Sequence, residues 1–330
     1  MTRLSANKRG AVLLCLTLVL AGGCNSSTTA GDQAAGQGAN DGAVTLRIGC
    51  QKSSLLLNHL RASADLTSRL GSNVQVVWKE FPAGPQLLEA LSVGAIDLGH
   101  AGETPPVFAQ AAGVPLVYVA CEDPSPQSEA IVVLKDSPIQ SVEQLKGKRV
   151  ALNKGSNVHY LLVQALEHAG LTYQDIEPVF LPPADARVAF ESGSVDAWAV
   201  WDPFFAVAES AGGTRVLVNG ENLVSNRGFY LASRKFATEH PDVLQQLIVE
   251  LARTSDWVST HADEAIGFIS NNLGIDQDII RRAEQRRKYG VHELEPEIVQ
   301  TQQQVADTFF RVGLIGQKVD VSTAVWRPTP

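Results

Sequence analysis

Ile48-Gly49-Cys50-Gln51-Lys52-Ser53-Ser54 and Val150-Ala151-Leu152-Asn153-Lys154-Gly155-Ser156 are two versions of one pattern. Each runs from apolar residues through Gln or Asn and Lys to Ser, and each opens an amphipathic stretch. That reads as a buried strand, a short loop and a helix. Each is followed by a Gly-x-Ile/Val-Asp step, Gly94-Ala95-Ile96-Asp97 and Gly193-Ser194-Val195-Asp196. Lys52 to Asp97 is 45 residues and Lys154 to Asp196 is 42. Agreement in both order and spacing implies two similar α/β halves. Each half carries a lysine and a hydroxyl at a helix N-terminus, where free N–H groups and the positive dipole end suit an anion.

Outward from these loops, strands and helices alternate. Val44 to Cys50 reads as a strand, Leu55 to Leu70 as a helix, Val74 to Trp78 as a strand, and Gly84 to Val93 as a Pro-initiated helix. The second half repeats this from Arg149 to Leu152. Such alternation argues for mostly parallel sheets with helices on their faces. After His240 the period is almost wholly helical. A helical tail must pack on a sheet already built, so it is expected to return to the first half. Lobe one then comprises residues 44–130 and 231–330, and lobe two 131–230. Two crossings, near Glu129–Leu134 and Gly228–Ser233, form a hinge that permits closure over a ligand.

The chain has 330 residues, 45% of them hydrophobic, and a net charge of −8. It is long enough for two lobes, and without a basic patch it does not suit nucleic acid. Its N-terminus reads as an address. Arg3, Lys8 and Arg9 precede an apolar run from Ala11 to Leu20, too short to span a bilayer. Ala21-Gly22-Gly23-Cys24 follows, so residues 1–23 are expected to be a lipoprotein signal peptide and Cys24 the acylated first residue. Residues 24–43 are rich in Ser, Thr, Ala, Gly, Gln and Asn, the composition of a flexible tether. The folded part is therefore expected outside the cytoplasm, periplasmic or at the cell surface, anchored to a membrane. Cys50 and Cys121 would remain after processing, and whether they pair is open. No cysteine–histidine spacing suggests a metal, and no cofactor is expected.

In open parallel sheets, ligands bind beyond the carboxyl ends of the strands. The candidate loops are therefore Gln51-Lys52-Ser53 and Gly102-Glu103-Thr104 from the first half. From the second they are Ser156, Asn157 and His159, with Trp201 and Asp202. Gly155 lets the backbone approach a ligand, and Ser156 either donates to it or caps its helix. Glu103 is awkward beside an anion: it faces away, fixes its loop, or meets a cationic tail. Of Trp198 and Trp201, the latter is expected as an apolar wall. His159 faces the site or packs internally. There is no catalytic constellation such as Gly-x-Ser-x-Gly, so no enzyme is expected.

Several strings together resemble the bacterial aliphatic sulfonate-binding proteins, the substrate-binding components of ABC importers. They are Glu80-Phe81-Pro82-Ala83-Gly84-Pro85-Gln86, Gly102-Glu103-Thr104-Pro105-Pro106, Lys154-Gly155-Ser156, Pro183-Ala184-Asp185-Ala186-Arg187 and Val195-Asp196-Ala197-Trp198-Ala199-Val200-Trp201-Asp202-Pro203. The resemblance covers residues 44–330. It implies a type II periplasmic-binding-protein fold with two lobes and a two-stranded hinge. It implies capture of an alkanesulfonate in the interlobe cleft for sulfur acquisition, by a monomer that delivers it to a membrane permease with its ATPase. Receptors for taurine, nitrate or a thiamine-precursor pyrimidine share the fold, as does a less expected class of enzymes. Cys50, where relatives often carry Tyr, and Asn157-Val158, where a serine-rich run is common, depart from the pattern beside the pocket.

Overall fold

The computed structural model describes residues 42–63 and 66–327. The signal segment, Cys24 and nearly all of the tether lie outside the described residues. Eleven strands are described: β1 Val44–Cys50, β2 Val74–Glu80, β3 Leu98–Gly102, β4 Leu116–Glu122, β5 Glu129–Leu134, β6 Arg149–Leu152, β7 Glu177–Phe180, β8 Ala197–Trp201, β9 Thr214–Asn219, β10 Gly228–Ser233 and β11 Val291–His292. They form two sheets, in the orders β11-β4-β10-β3-β1-β2 and β7-β6-β8-β5-β9.

The sheets are mixed, but most strands share one direction: β10 and β11 oppose the rest of the first sheet, and β5 the rest of the second. β1 runs parallel to β2 and β3, and β6 parallel to β7 and β8. β10 lies antiparallel between β3 and β4, β5 antiparallel between β8 and β9, and β11 antiparallel to β4. The reason is the chain path. β5 carries the chain into the second sheet and β10 carries it back, each entering against the direction of its neighbours. Both are whole strands, so the crossings fall just before them, in residues 123–128 and 220–227. These segments bond to each other, through Ser125 N–H to Ser225 O at 3.1 Å and Gly220 N–H to Pro126 O at 3.1 Å.

The repeated Gly-x-Ile/Val-Asp step has a structural cause. Asp97 accepts the Arg47 backbone N–H at 2.8 Å and its guanidinium at 2.8 and 2.7 Å, and Asp97 N–H returns a bond to Arg47 O at 2.8 Å. Asp196 accepts the Arg149 N–H at 2.8 Å and donates its own to Arg149 O at 2.8 Å. In each half this carboxylate ties the strand entering the repeat to the one leaving it, at the sheet end away from the loops.

Strand parity divides each sheet between two cores. Tyr230 and Ala232 join Leu46, Ile48 and the tail residues Leu244, Leu247 and Leu251 on one face of the first sheet. Phe229 and Leu231 join Leu87, Val107 and the tail residues Val305 and Phe309 on the other. Close approach is enforced at Gly49, where an added Cβ would lie 2.6 Å from the Ile96 side chain. In the second sheet Ala197 and Ala199 face one core, Trp198 and Val200 the other. Both faces of both sheets are thus covered, and the helical tail closes the first. Cys50 and Cys121 are buried free thiols on opposite faces of that sheet.

Candidate functional site

A cleft opens at the carboxyl ends of the strands. Gln51 and Ser53 follow β1, His100 and Gly102 end β3, and Glu122 and Asp123 end β4. From the second sheet come Ser156, Asn157, Trp201 and Asp202; Ser125, Ser128 and Asn226 come from the crossings, and Arg287 from the tail.

Seven of the eleven sequence candidates line this space: Gln51, Ser53, Gly102, Ser156, Asn157, Trp201 and Asp202. Trp201 is half-buried at the end of β8, whereas Trp198 packs in the core against Phe190, ring centroids 5.8 Å apart. Gln51 donates to His100 O at 2.8 Å, which joins the loops after β1 and β3. The Ser156 hydroxyl donates to Asn153 O at 2.7 Å and forms no side-chain cap. The first N–H groups of the helix Asn157–His168 therefore have no side-chain partner from Ser156 and point to the cleft end of the helix.

Lys52, Glu103, Thr104 and His159 do not line the cleft. Lys52 stands half-buried beside it. Glu103 is turned inward and holds the returning crossing, accepting from the Ser225 hydroxyl and from Asn226 and Arg227 N–H at 3.2 and 3.3 Å. Burial raises its pKa, against the pull of those donors. Thr104 is fully buried; its N–H is bonded to Asn157, and its hydroxyl has no partner among the described residues. His159 lies inside the lobe, its Nδ1 accepting from Gly155 N–H at 3.1 Å and its Nε2 facing the Tyr173 hydroxyl at 2.9 Å. Burial, then Lys154, lowers its pKa to about 3, so it is a neutral packing group.

Asn157 joins the two halves. Its Oδ1 accepts Thr104 N–H at 3.1 Å, at the start of a first-half helix, and its Nδ2 donates to Asn226 Oδ1 at 2.6 Å. Asn226, at φ +44°, donates in turn to Ser125 O and Ser128 Oγ at 3.0 Å each. A Cβ at Gly102 would overlap the Asn157 carboxamide, so glycine is required for the contact.

Sequence reasoning missed the charged wall. Glu122 accepts from the Tyr230 hydroxyl at 2.7 Å, lies 3.3 Å from His100 Nε2 and meets Arg287 at 3.4 Å. Burial alone would raise its pKa, but His100, Arg287 and Tyr230 outweigh that and hold it at about 2. Asp202 accepts Ala206 N–H at 3.0 Å and both its oxygens stand 3.3 Å from Arg286. Burial nevertheless raises its pKa to about 6, against the pull of Arg286. His100 lies in β3, two residues before the candidate Gly102. Glu122, Asn226 and Arg287 carried no local signal. Ser53 and Ser125 donate their hydroxyl protons to no group among the described residues, and the Arg287 guanidinium makes one hydrogen bond among them, so donors remain for a ligand. No group of three or more His, Cys, Asp or Glu among the described residues is arranged to hold a metal ion.

Residues 72–265 match the NMT1/THI5 like family. An aliphatic sulfonates-binding protein of Escherichia coli K12 is 42% identical over 285 residues, 86% of this chain and 89% of the relative. The alkanesulfonate-binding protein of Xanthomonas axonopodis pv. citri, solved bound to MOPS, superposes with a TM-score of 0.84 at 41% identity, covering 87% of this chain and 99% of that one. The periplasmic aliphatic sulphonate binding protein of Escherichia coli superposes with a TM-score of 0.79 at 42% identity, covering 86% and 92%. This chain therefore belongs to the NMT1/THI5-like family and, within it, to the aliphatic sulfonate-binding proteins with their periplasmic-binding-protein fold.

Proposed function

We propose that the chain is the lipid-tethered, extracytoplasmic receptor of an ABC importer, a monomer without enzymatic activity. It captures an aliphatic sulfonate in the cleft and delivers it to the permease. The observation that carries this reading is the make-up of the cleft wall. An uncapped helix N-terminus, the hydroxyls of Ser53 and Ser125, and Arg287 share one space with the half-buried Trp201. A sulfonate offers three weakly basic oxygens and a single charge, which the preorganised N–H and O–H donors satisfy with the Arg287 guanidinium beside them. The indole of Trp201 offers the apolar surface that a hydrocarbon tail requires. Family membership and the sequence features of residues 1–43 support the same role at a membrane surface.

The test is calorimetric titration of the fragment Asp41–Pro330, a compact unit in itself. Ethanesulfonate, longer alkanesulfonates, taurine, sulfate and nitrate are the ligands. Tight one-to-one binding of alkanesulfonates with weak sulfate and nitrate binding is expected. Binding of none of them removes the sulfonate assignment, and chemical turnover of a bound ligand removes the claim that the chain is only a receptor.

A further inference from the structure

The tail reaches across the cleft mouth in one place through a buried charge. The helix Gln277–Glu284 is fixed to the first lobe by Ile280, which packs with Leu55, Ile266 and Ile269. The turn that follows, with Arg286 N–H bonded to Ala283 O at 3.2 Å, projects Arg286 onto the second lobe. There its Nη1 stands 3.3 Å from both oxygens of Asp202, its Nη2 bonds Glu209, and its guanidinium carbon lies 4.0 Å from the centroid of the Phe205 ring. Its side chain is 16% exposed and that of Asp202 3%. A second pair between tail and second lobe, Arg311 with Glu167, is 57% and 32% exposed and therefore screened by water.

We propose that Arg286 is the positioning residue that holds the second lobe over the cleft and fixes Asp202 in its wall, setting the affinity for every cleft ligand without touching one. A guanidinium fork suits this role: it takes two carboxylates in one plane and lays its face on an aromatic ring. Without it, Asp202 and Glu209, both on the second lobe, would be left against the tail with no countercharge, and separation of the lobes would let water solvate them. A less populated closed state weakens all ligands by one common factor. The inference rests on the cleft being the binding site, not on the identity of the ligand.

The experiment compares the wild-type protein with R286A, R286K and R311A. Small-angle scattering without ligand and calorimetry with two alkanesulfonates of different length are the readouts. R286A is expected to show a larger ligand-free radius of gyration and to weaken both ligands equally, by about tenfold or more. R286K, with charge but no fork, falls between, and R311A behaves as wild type. An unchanged radius for R286A, or a loss confined to one ligand, overturns the proposal. If R286A does not fold, R286K decides: wild-type radius and affinity then overturn it. If the wild type binds no sulfonate, the functional reading fails, while scattering of the ligand-free proteins still decides the clamp.

Discussion

Replacing Asn157 by Ala removes the carboxamide that links the first-half helix start, the second-half helix start and the crossings. Two hydrogen bonds disappear, at 3.1 Å to Thr104 N–H and 2.6 Å from Nδ2 to Asn226. Each contributes about 1 kcal/mol net, and a buried partner left unsatisfied adds about 1–3 kcal/mol. Asn226 is half-buried and lines the cleft, so water can reach its Oδ1, whereas Thr104 is fully buried and its N–H would be left unsatisfied. The expected loss of stability is therefore about 3–5 kcal/mol, read as a shift of the urea midpoint of Asp41–Pro330 at constant slope. N157D separates stability from binding. Its carboxylate still accepts from Thr104 and lies favourably at a helix start, but it faces Asn226 Oδ1 and any anion in the cleft. It should retain more stability than N157A and lose more sulfonate affinity. G102A, whose Cβ overlaps the carboxamide, should destabilise non-additively with N157A. A loss below about 0.5 kcal/mol in N157A, the range of ordinary surface substitutions, would refute the bridge.

W201A should flatten the gain in affinity with alkanesulfonate length, which reaches about 0.8 kcal/mol per fully buried methylene; calorimetry across the series reads it, and an unchanged slope excludes Trp201 as the tail wall. Glu122, held at about 2 against an ordinary 4.5, contributes stability that is present above pH 4.5 and lost as pH falls towards 2. That contribution is on the order of 3 kcal/mol, so E122Q should lack this part of the acid slope in denaturation measured from pH 5 to pH 2. C24S should abolish radiolabelled-lipid incorporation and release the protein from membranes, and continued membrane retention would count against the acyl anchor.

The paired loops were legible because each combines a local apolar run with a local helix start, and both signals survive in any context. Trp201 was legible as the last residue of an apolar run that a proline ends. The directions of β5 and β10 were not. Both are buried on both faces, so their residues read alike whichever way they run. Glu103 and His159 were placed correctly along the chain, but their orientation depends on distant groups. Residues 225–227 take the Glu103 carboxylate inward, and Tyr173 takes the His159 ring.

By itself, the sequence determined the two α/β halves, the loops that flank the cleft and the family, because periodicity, turn chemistry and strings of adjacent residues are short-range properties. Tertiary structure alone decided which of those loop residues line the cleft, and it supplied Glu122, Asn226, Arg286 and Arg287. These four come from a strand end, a crossing and the tail. Their roles exist only once folding brings together charges and amides separated by as many as 165 positions, as in Arg287 with Glu122, where burial makes each unpaired group costly and so fixes its partner.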